Sequence, residues 1–169
     1  MTPDVTWHPL AKMFGRWFLR RMPAAIFRRY YGTGRLRDDI KIRLQSAKPV
    51  TVTVAKKLVA PRLEIEGEAF NLSPYLDTSV TAVLSFLSAD AAGGGVFGEV
   101  HDWRGFDLPR GRVRPFSLTY WLNEYQFSVV SACLKGHFPI EVFVMLWVDS
   151  KVGIARPFKT FKIADPAVR

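Results

Sequence analysis

The stretch Ile140-Glu141-Val142-Phe143-Val144-Met145-Leu146-Trp147-Val148 decides the fold class of this 169-residue chain. Successive side chains of a strand point to opposite faces. One face then carries Ile140, Val142, Val144, Leu146 and Val148. The other carries Phe143, Met145 and Trp147, with Glu141 and the following Asp149 at its ends. The outer face of an antiparallel sheet is ordinarily polar, so the second apolar face predicts a cover. The expected cover is the N-terminal helix folded back on the sheet, and after it a partner or lipid. Phe143, Met145 and Trp147 are therefore a candidate interaction face. Uninterrupted apolar sequence runs only from Val142 to Val148. A transmembrane helix needs roughly 20 such residues, so none is expected.

Other strands follow outward from this one. Val50 to Ala55 alternates Val and Thr, and Leu63 to Ala69 alternates apolar or small residues with Glu64, Glu66 and Glu68. Ser79 to Leu87 reads as a strand with Val80, Ala82, Leu84 and Phe86 on one side. Val96 to Val100 reads as a short edge strand. Arg114 to Leu122, Tyr125 to Leu134 and Gly153 to Ile163 complete the set, although the period of Tyr125 to Leu134 also fits a helical turn. About seven short strands with turn signals between them predict a mainly β chain, an antiparallel immunoglobulin-like β-sandwich. Residues 48–169 are assigned to the sandwich and residues 1–47 to a basic helical arm and linker.

Charge separates those two parts. The net charge is +9, and ten basic residues lie between Lys12 and Arg43 against two acids, Asp38 and Asp39. Such one-ended charge points to an anionic partner. From about Pro9 to Tyr31 the pattern is helical, with Leu10, Met13, Phe14, Trp17 and Phe18 in one stripe and Lys12, Arg16 and Arg20 on another face. Arg21 falls within the apolar stripe. Pro23 is expected to kink or end the first piece. The second piece carries Ile26, Phe27, Tyr30 and Tyr31 beside Arg28 and Arg29, and Gly32-Thr33-Gly34 is expected to stop it. The segment Met1 to Leu10 lacks the pattern of a secretory signal. An organellar presequence is also Arg-rich and acid-poor, but the first 45 residues contain no Ser, so a permanent arm is expected.

Catalytic and metal readings fare poorly. Cys133 is the only cysteine, which excludes an intrachain disulfide and a cysteine zinc site and suits a reducing compartment. His8, His101 and His137 are too far apart for helical ligand spacing. Cys133 and His137 stand four apart, yet a small buried thiol is the commoner reading. Glu64, Glu66 and Glu68 share a strand face, expected to be solvated or to receive Arg35, Arg37 or Lys41. Gly93-Gly94-Gly95 reads as a hairpin loop without a phosphate-loop lysine. Trp103, Arg104, Arg110 and Arg112 place aromatic and basic groups in one loop, a secondary basic surface suited to stacking and phosphate contact. No cofactor is expected.

Residues from about Val50 to Ile163 resemble the late-embryogenesis-abundant type 2 (water-stress and hypersensitive-response) domain family. Two places carry the similarity. One is the strand–turn–strand step through Asn71-Leu72-Ser73-Pro74. The other is the closing hairpin, Val142 to Val148, then Asp149-Ser150-Lys151-Val152-Gly153 and Ile154-Ala155-Arg156-Pro157-Phe158. The resemblance implies a cytoplasmic or membrane-associated sandwich without catalytic residues, serving stress protection or lipid contact.

The leading functional expectation is a non-catalytic module lying peripherally on an anionic membrane, in the cytoplasm. Lys12, Phe14, Arg16, Trp17, Phe18, Arg20, Arg21, Arg28 and Arg29 would form its contact. An acidic protein could take the same partner role. Sequence-nonspecific nucleic-acid binding ranks second, and a subunit of an assembly, including a homo-oligomer, third.

Overall fold

The computed structural model describes residues 17–18, 21–54, 57–89, 96–135 and 139–163. Trp17, Phe18 and Arg21 are helical. Two short helices follow, α1 (Ala24–Tyr30) and α2 (Thr33–Asp39). Pro23 stands at the N-cap of α1 and ends the preceding piece, as a residue without an N–H should. The second piece stops at Tyr30, just ahead of Gly32 as expected, but helix resumes at once: Gly32 is the N-cap of α2, and Leu36 N–H closes on its carbonyl at 3.1 Å.

Eight strands come next: β1 (Ile40–Val54), β2 (Lys57–Asn71), β3 (Thr78–Ala89), β4 (Val96–Asp102), β5 (Phe106–Leu108), β6 (Val113–Trp121), β7 (Ile140–Asp149) and β8 (Phe158–Ile163). They form two antiparallel sheets, β1-β2-β6 and β4-β3-β7-β8, with β5 also pairing β3. Leu63, Ile65, Leu118 and Tyr120 of the first sheet and Val83, Leu87, Val142, Val144 and Leu146 of the second fill the space between. The result is the mainly β, two-sheet sandwich that the alternation predicts.

Three local expectations are corrected. The strand expected at Val50 begins at Ile40, so residues 40–47, grouped with the arm on charge, pair with β2. Ile42 is buried while Lys41 and Arg43 are exposed, a period-2 pattern that the cations disguise. Residues Glu124–Leu134 form a helix, α3, and not a strand. Asn123 and Gln126 build a capping box at its start, at 2.8 and 2.9 Å, which satisfies amides that a strand would have paired elsewhere. Its buried Val130 and Cys133 face the core.

The third correction concerns β3. A bulge between Val80 and Ala82 shifts the register, and one extra residue moves everything beyond it to the other face. Val80, Val83, Ser85 and Leu87 therefore lie opposite Val148, Leu146, Val144 and Val142 on the core side. Ala82, Leu84 and Phe86 oppose Trp147, Met145 and Phe143 on the outer side.

Candidate interaction surfaces

The bulge assembles an aromatic outer face on the larger sheet. Leu84 and Met145 are cross-strand partners at its centre. Around them run Phe158, Phe143, Phe86, His101, Trp103 and Trp147, each ring 5.5–6.5 Å from the next. Phe143 and Phe158 are stacked, while Trp103 meets Trp147 edge-on, the offset and T-shaped geometries that ring quadrupoles favour. Arg156 lies 4.7 Å above Trp147. Trp103 and Phe158 remain 62% and 61% exposed. Trp147 Nε1 is covered yet has no hydrogen-bond partner among the described residues. Phe143, Met145 and Trp147 thus sit as the sequence places them, joined by Phe86, Phe158, Trp103 and His101. Helices α1 and α2 do not cover this face; their buried Phe27, Tyr31 and Leu36 join the core instead.

Those helices close one end of the sandwich. Phe27, Tyr31 and Leu36 are buried, and Phe27 and Tyr31 form a ring cluster with Tyr75. The Tyr31 hydroxyl donates to the Asp39 carboxylate and lies 2.9 Å from Ser73 Oγ. Burial first, and then the Asp39 hydrogen bond, pushes its phenol up to about 12. Arg28 reaches the Lys151 carbonyl, and Lys151 Nζ lies 4.2 Å from the centre of the Phe27 ring. The opposite side of the helices is exposed: Trp17, Phe18, Ile26 and Tyr30 beside Arg21, Arg28, Arg29, Arg35 and Arg37. Arg21 stacks over Trp17 at 4.6 Å. Lys12, Phe14, Arg16 and Arg20 lie outside the described residues.

Asn71 and Ser73, singled out for the turn between β2 and β3, form a buried knot. Asn71 Nδ2 donates to the Leu76 and Leu108 carbonyls and to Thr78 Oγ1, and its Oδ1 accepts from Ser73 N–H. Ser73 Oγ accepts from Tyr75 and Leu76 N–H. These residues fasten the turn, which gives Asn71 a structural reason for its type. The closing hairpin turns through Gly153 at φ +114°, with Ser150 Oγ donating to its carbonyl at 3.0 Å.

The Trp103–Arg112 loop is divided by β5. Trp103 belongs to the aromatic face, and Arg104 is held by Asp102 at 2.9 Å, which keeps the Asp102 carboxyl below its usual range. Arg110 and Arg112 sit in the β5–β6 turn, where Arg110 N–H donates to Asp77 and the Arg112 carbonyl accepts from Asn71. Trp103 and Arg104 thus precede β5, and Arg110 and Arg112 follow it. On the smaller sheet, Glu64 pairs with Arg62 at 2.7 Å, Glu66 accepts from Ser46 and Glu68 lies opposite Arg43. Cys133 is buried, and burial pushes its thiol up to about 11. His137 and Gly93-Gly94-Gly95 lie outside the described residues. No group of three His, Cys, Asp or Glu side chains suited to a metal occurs among the described residues, and no described helix is long and apolar enough to cross a membrane.

Fold and surfaces together define a small antiparallel β-sandwich with a helical cap and an aromatic sheet face. No protein-family model matches the chain, and no curated protein matches it in sequence. Solved structures do. The structural-genomics target SoR45 matches 78% of this chain and 91% of its own length, with a TM-score of 0.52 at 11% identity. A protein from Archaeoglobus fulgidus matches 70% of this chain and 93% of its own, with a TM-score of 0.48 at 11% identity. A protein assigned to the late embryogenesis abundant class matches 90% of this chain and 84% of its own, with a TM-score of 0.45 at 11% identity. A late embryogenesis abundant protein is thus among the structural neighbours. At these identities the likeness concerns the fold alone.

Proposed function

We propose that this chain is a non-catalytic binding module, an immunoglobulin-like sandwich that associates peripherally with an anionic membrane surface from the cytoplasm, in keeping with a stress-protection role. The observation that carries the reading is the two-sided helical cap. Its inner side is fixed to the core by Phe27, Tyr31 and Leu36, while its outer side exposes Trp17, Phe18, Ile26 and Tyr30 among five arginines. No acid interrupts the sequence from Val5 to Arg37. Interfacial binding needs this pairing of apolar side chains for the headgroup boundary and cations for phosphates.

Co-sedimentation with phosphatidylserine-containing vesicles tests it. Each cation near such a surface contributes about 1 kcal/mol, so Arg28→Glu with Arg29→Glu should weaken binding roughly tenfold or more. Both side chains are exposed, so the fold should survive. Equal pelleting with neutral vesicles, or indifference to the double reversal, would sink the reading.

The aromatic face favours a second reading, a subunit that buries Phe143, Met145 and Trp147 against another protein chain. That reading predicts a mass above 19.2 kDa in buffer alone, rising with concentration.

A further inference from the structure

The outer face of the larger sheet is apolar at its centre and charged along its two long rims, and the rims differ in sign. One rim is formed by β8 and the residues leading into it. Phe158, Thr160 and Lys162 lie opposite Met145, Phe143 and Glu141, and Arg156 stands over Trp147. Its cations, Arg156 and Lys162, are both exposed. The other rim is formed by β4 and β5, which pair with β3. Glu99 lies opposite Phe86 and His101 opposite Leu84, while Asp107 lies opposite Ser79, which in turn faces Asp149. Its acids Glu99 and Asp107 are exposed, and Arg104 there is already held by Asp102 at 2.9 Å. Glu99 and Lys162 each have a neighbour on their own chain, His101 and Glu141. Arg156 and Asp107 have no ion-pair partner among the described residues.

Such a face is complementary to itself. Two sheets pack face to face with their strands within about 30° of each other. A two-fold axis running along the strands carries the β8 rim of one protomer onto the β4–β5 rim of its partner, so cations meet acids at both rims. Arg156, level with Trp147, then meets Trp103 and Asp107 of the partner, and Lys162 approaches the partner's Glu99. A two-fold axis across the strands does the reverse: it lays the cationic rim on itself and sets Asp149 against Glu141. Between the rims, Leu84, Phe86, Phe143 and Met145 supply the carbon that charge alone lacks. Four strands of 6 to 12 residues, about 4.8 Å apart, give each protomer a flat face of roughly 500 Å². Two such faces bury about 1,000 Å², the size at which a specific interface begins. The pairing is therefore weak and depends on concentration.

We infer that this chain pairs with a second copy of itself through the outer face of the larger sheet, about a two-fold axis along the strands. The inference rests on the subunit reading given above, and names the partner and the geometry. It does not involve the cations of the helical cap.

Sedimentation equilibrium of the full chain over a concentration series tests the inference. The mass should rise from 19.2 kDa toward that of two chains. Arg156→Asp places acid on acid at both rims, and Asp107→Arg places cation on cation. Each should weaken self-association about tenfold or more. An equimolar mixture of the two variants should recover wild-type association, because each of its two rim contacts again joins opposite charges. Both side chains are exposed, so the fold should survive, and recovery in the mixture would show that it has. Arg28→Glu with Arg29→Glu should leave the mass unchanged. Variants that associate like the wild type, or a mixture that stays monomeric, would overturn the two-fold pairing, while a wild-type mass above one chain kept the subunit reading. A wild type that stays at 19.2 kDa at every concentration would overturn both. Association lost in Arg28→Glu/Arg29→Glu would move the contact to the helical cap and overturn the pairing as well.

Discussion

The two outer faces of this sandwich obey opposite rules. The smaller sheet turns Lys41, Arg43, Glu64, Glu66 and Glu68 outward, with Ser117 and Thr119 beside them. Its neighbours satisfy one another: Arg62 with Glu64 at 2.7 Å, Ser46 with Glu66 at 2.8 Å. That is how an antiparallel sheet with one wet side should look. The larger sheet shows six rings and Met145 on the same kind of surface. Both faces belong to one core, so burial within the sandwich cannot account for the difference. A contiguous apolar patch marks something to be met, and the smaller sheet serves as the internal control for that inference.

The largest expected effect comes from crossing β7 by a single residue. Leu146 is fully buried, and Leu146→Ala should cost about 2–5 kcal/mol through lost burial and a cavity. Met145 is half-buried on the outer face and should cost about 1 kcal/mol when truncated to Ala. Urea unfolding measures both, with unchanged m-values. Equal costs would mean that the aromatic face is covered by this chain's own residues. The Met145→Ala and Trp147→Ala proteins should in addition bind less of an apolar-surface dye, and Leu146→Ala should not.

Alkali tests whether the two faces share one cooperative unit. The Tyr31 phenol is raised from its ordinary value near 10 to about 12, chiefly by burial and then by Asp39. Below pH 10 both folded and unfolded chains keep this proton, and its contribution to stability is fully present. Between pH 10 and 12 the unfolded chain releases the proton while the folded one holds it, so stability falls as pH rises. Trp121 reports on the smaller sheet and Trp147 on the larger. Single-Trp variants should lose their fluorescence signature over the same pH interval. Separate transitions would make the sheets separate units.

Much of this comparison was legible in the sequence, and its gaps have physical causes. The alternation of Ile140 to Val148 predicts both faces of β7 correctly, because strand geometry alone sets it. Leu84 and Phe86 are placed by the alternation on the same side as Val80, wrongly, because a bulge leaves no compositional mark. The only hint is Ser85, a polar residue at an inward position. There Tyr120 donates to Ser85 Oγ, which donates to the Phe143 carbonyl at 2.7 Å, tying one sheet to the other. Helix α3 was ambiguous in period, although Asn123 and Gln126 spell a capping box ahead of it. Strand β1 was hidden by its lysines and arginines.

The smallest effect is the sharpest control. Glu66→Gln removes one charge from the smaller sheet's outer face and weakens one exposed hydrogen bond to Ser46. Exposed polar contacts of this kind contribute about 0.5 kcal/mol or less, so the urea midpoint should hardly move. Gln can still accept from the serine hydroxyl, which leaves charge as the only variable. A large loss would show that Glu66 meets a cation more closely than the register implies, and the polar face would then be a binding surface as well. An unchanged midpoint, set beside a measurable loss at Met145, would leave the larger sheet as the face built for contact. The contrast would then lie in what each side chain touches, since both residues occupy the same class of position on an antiparallel strand.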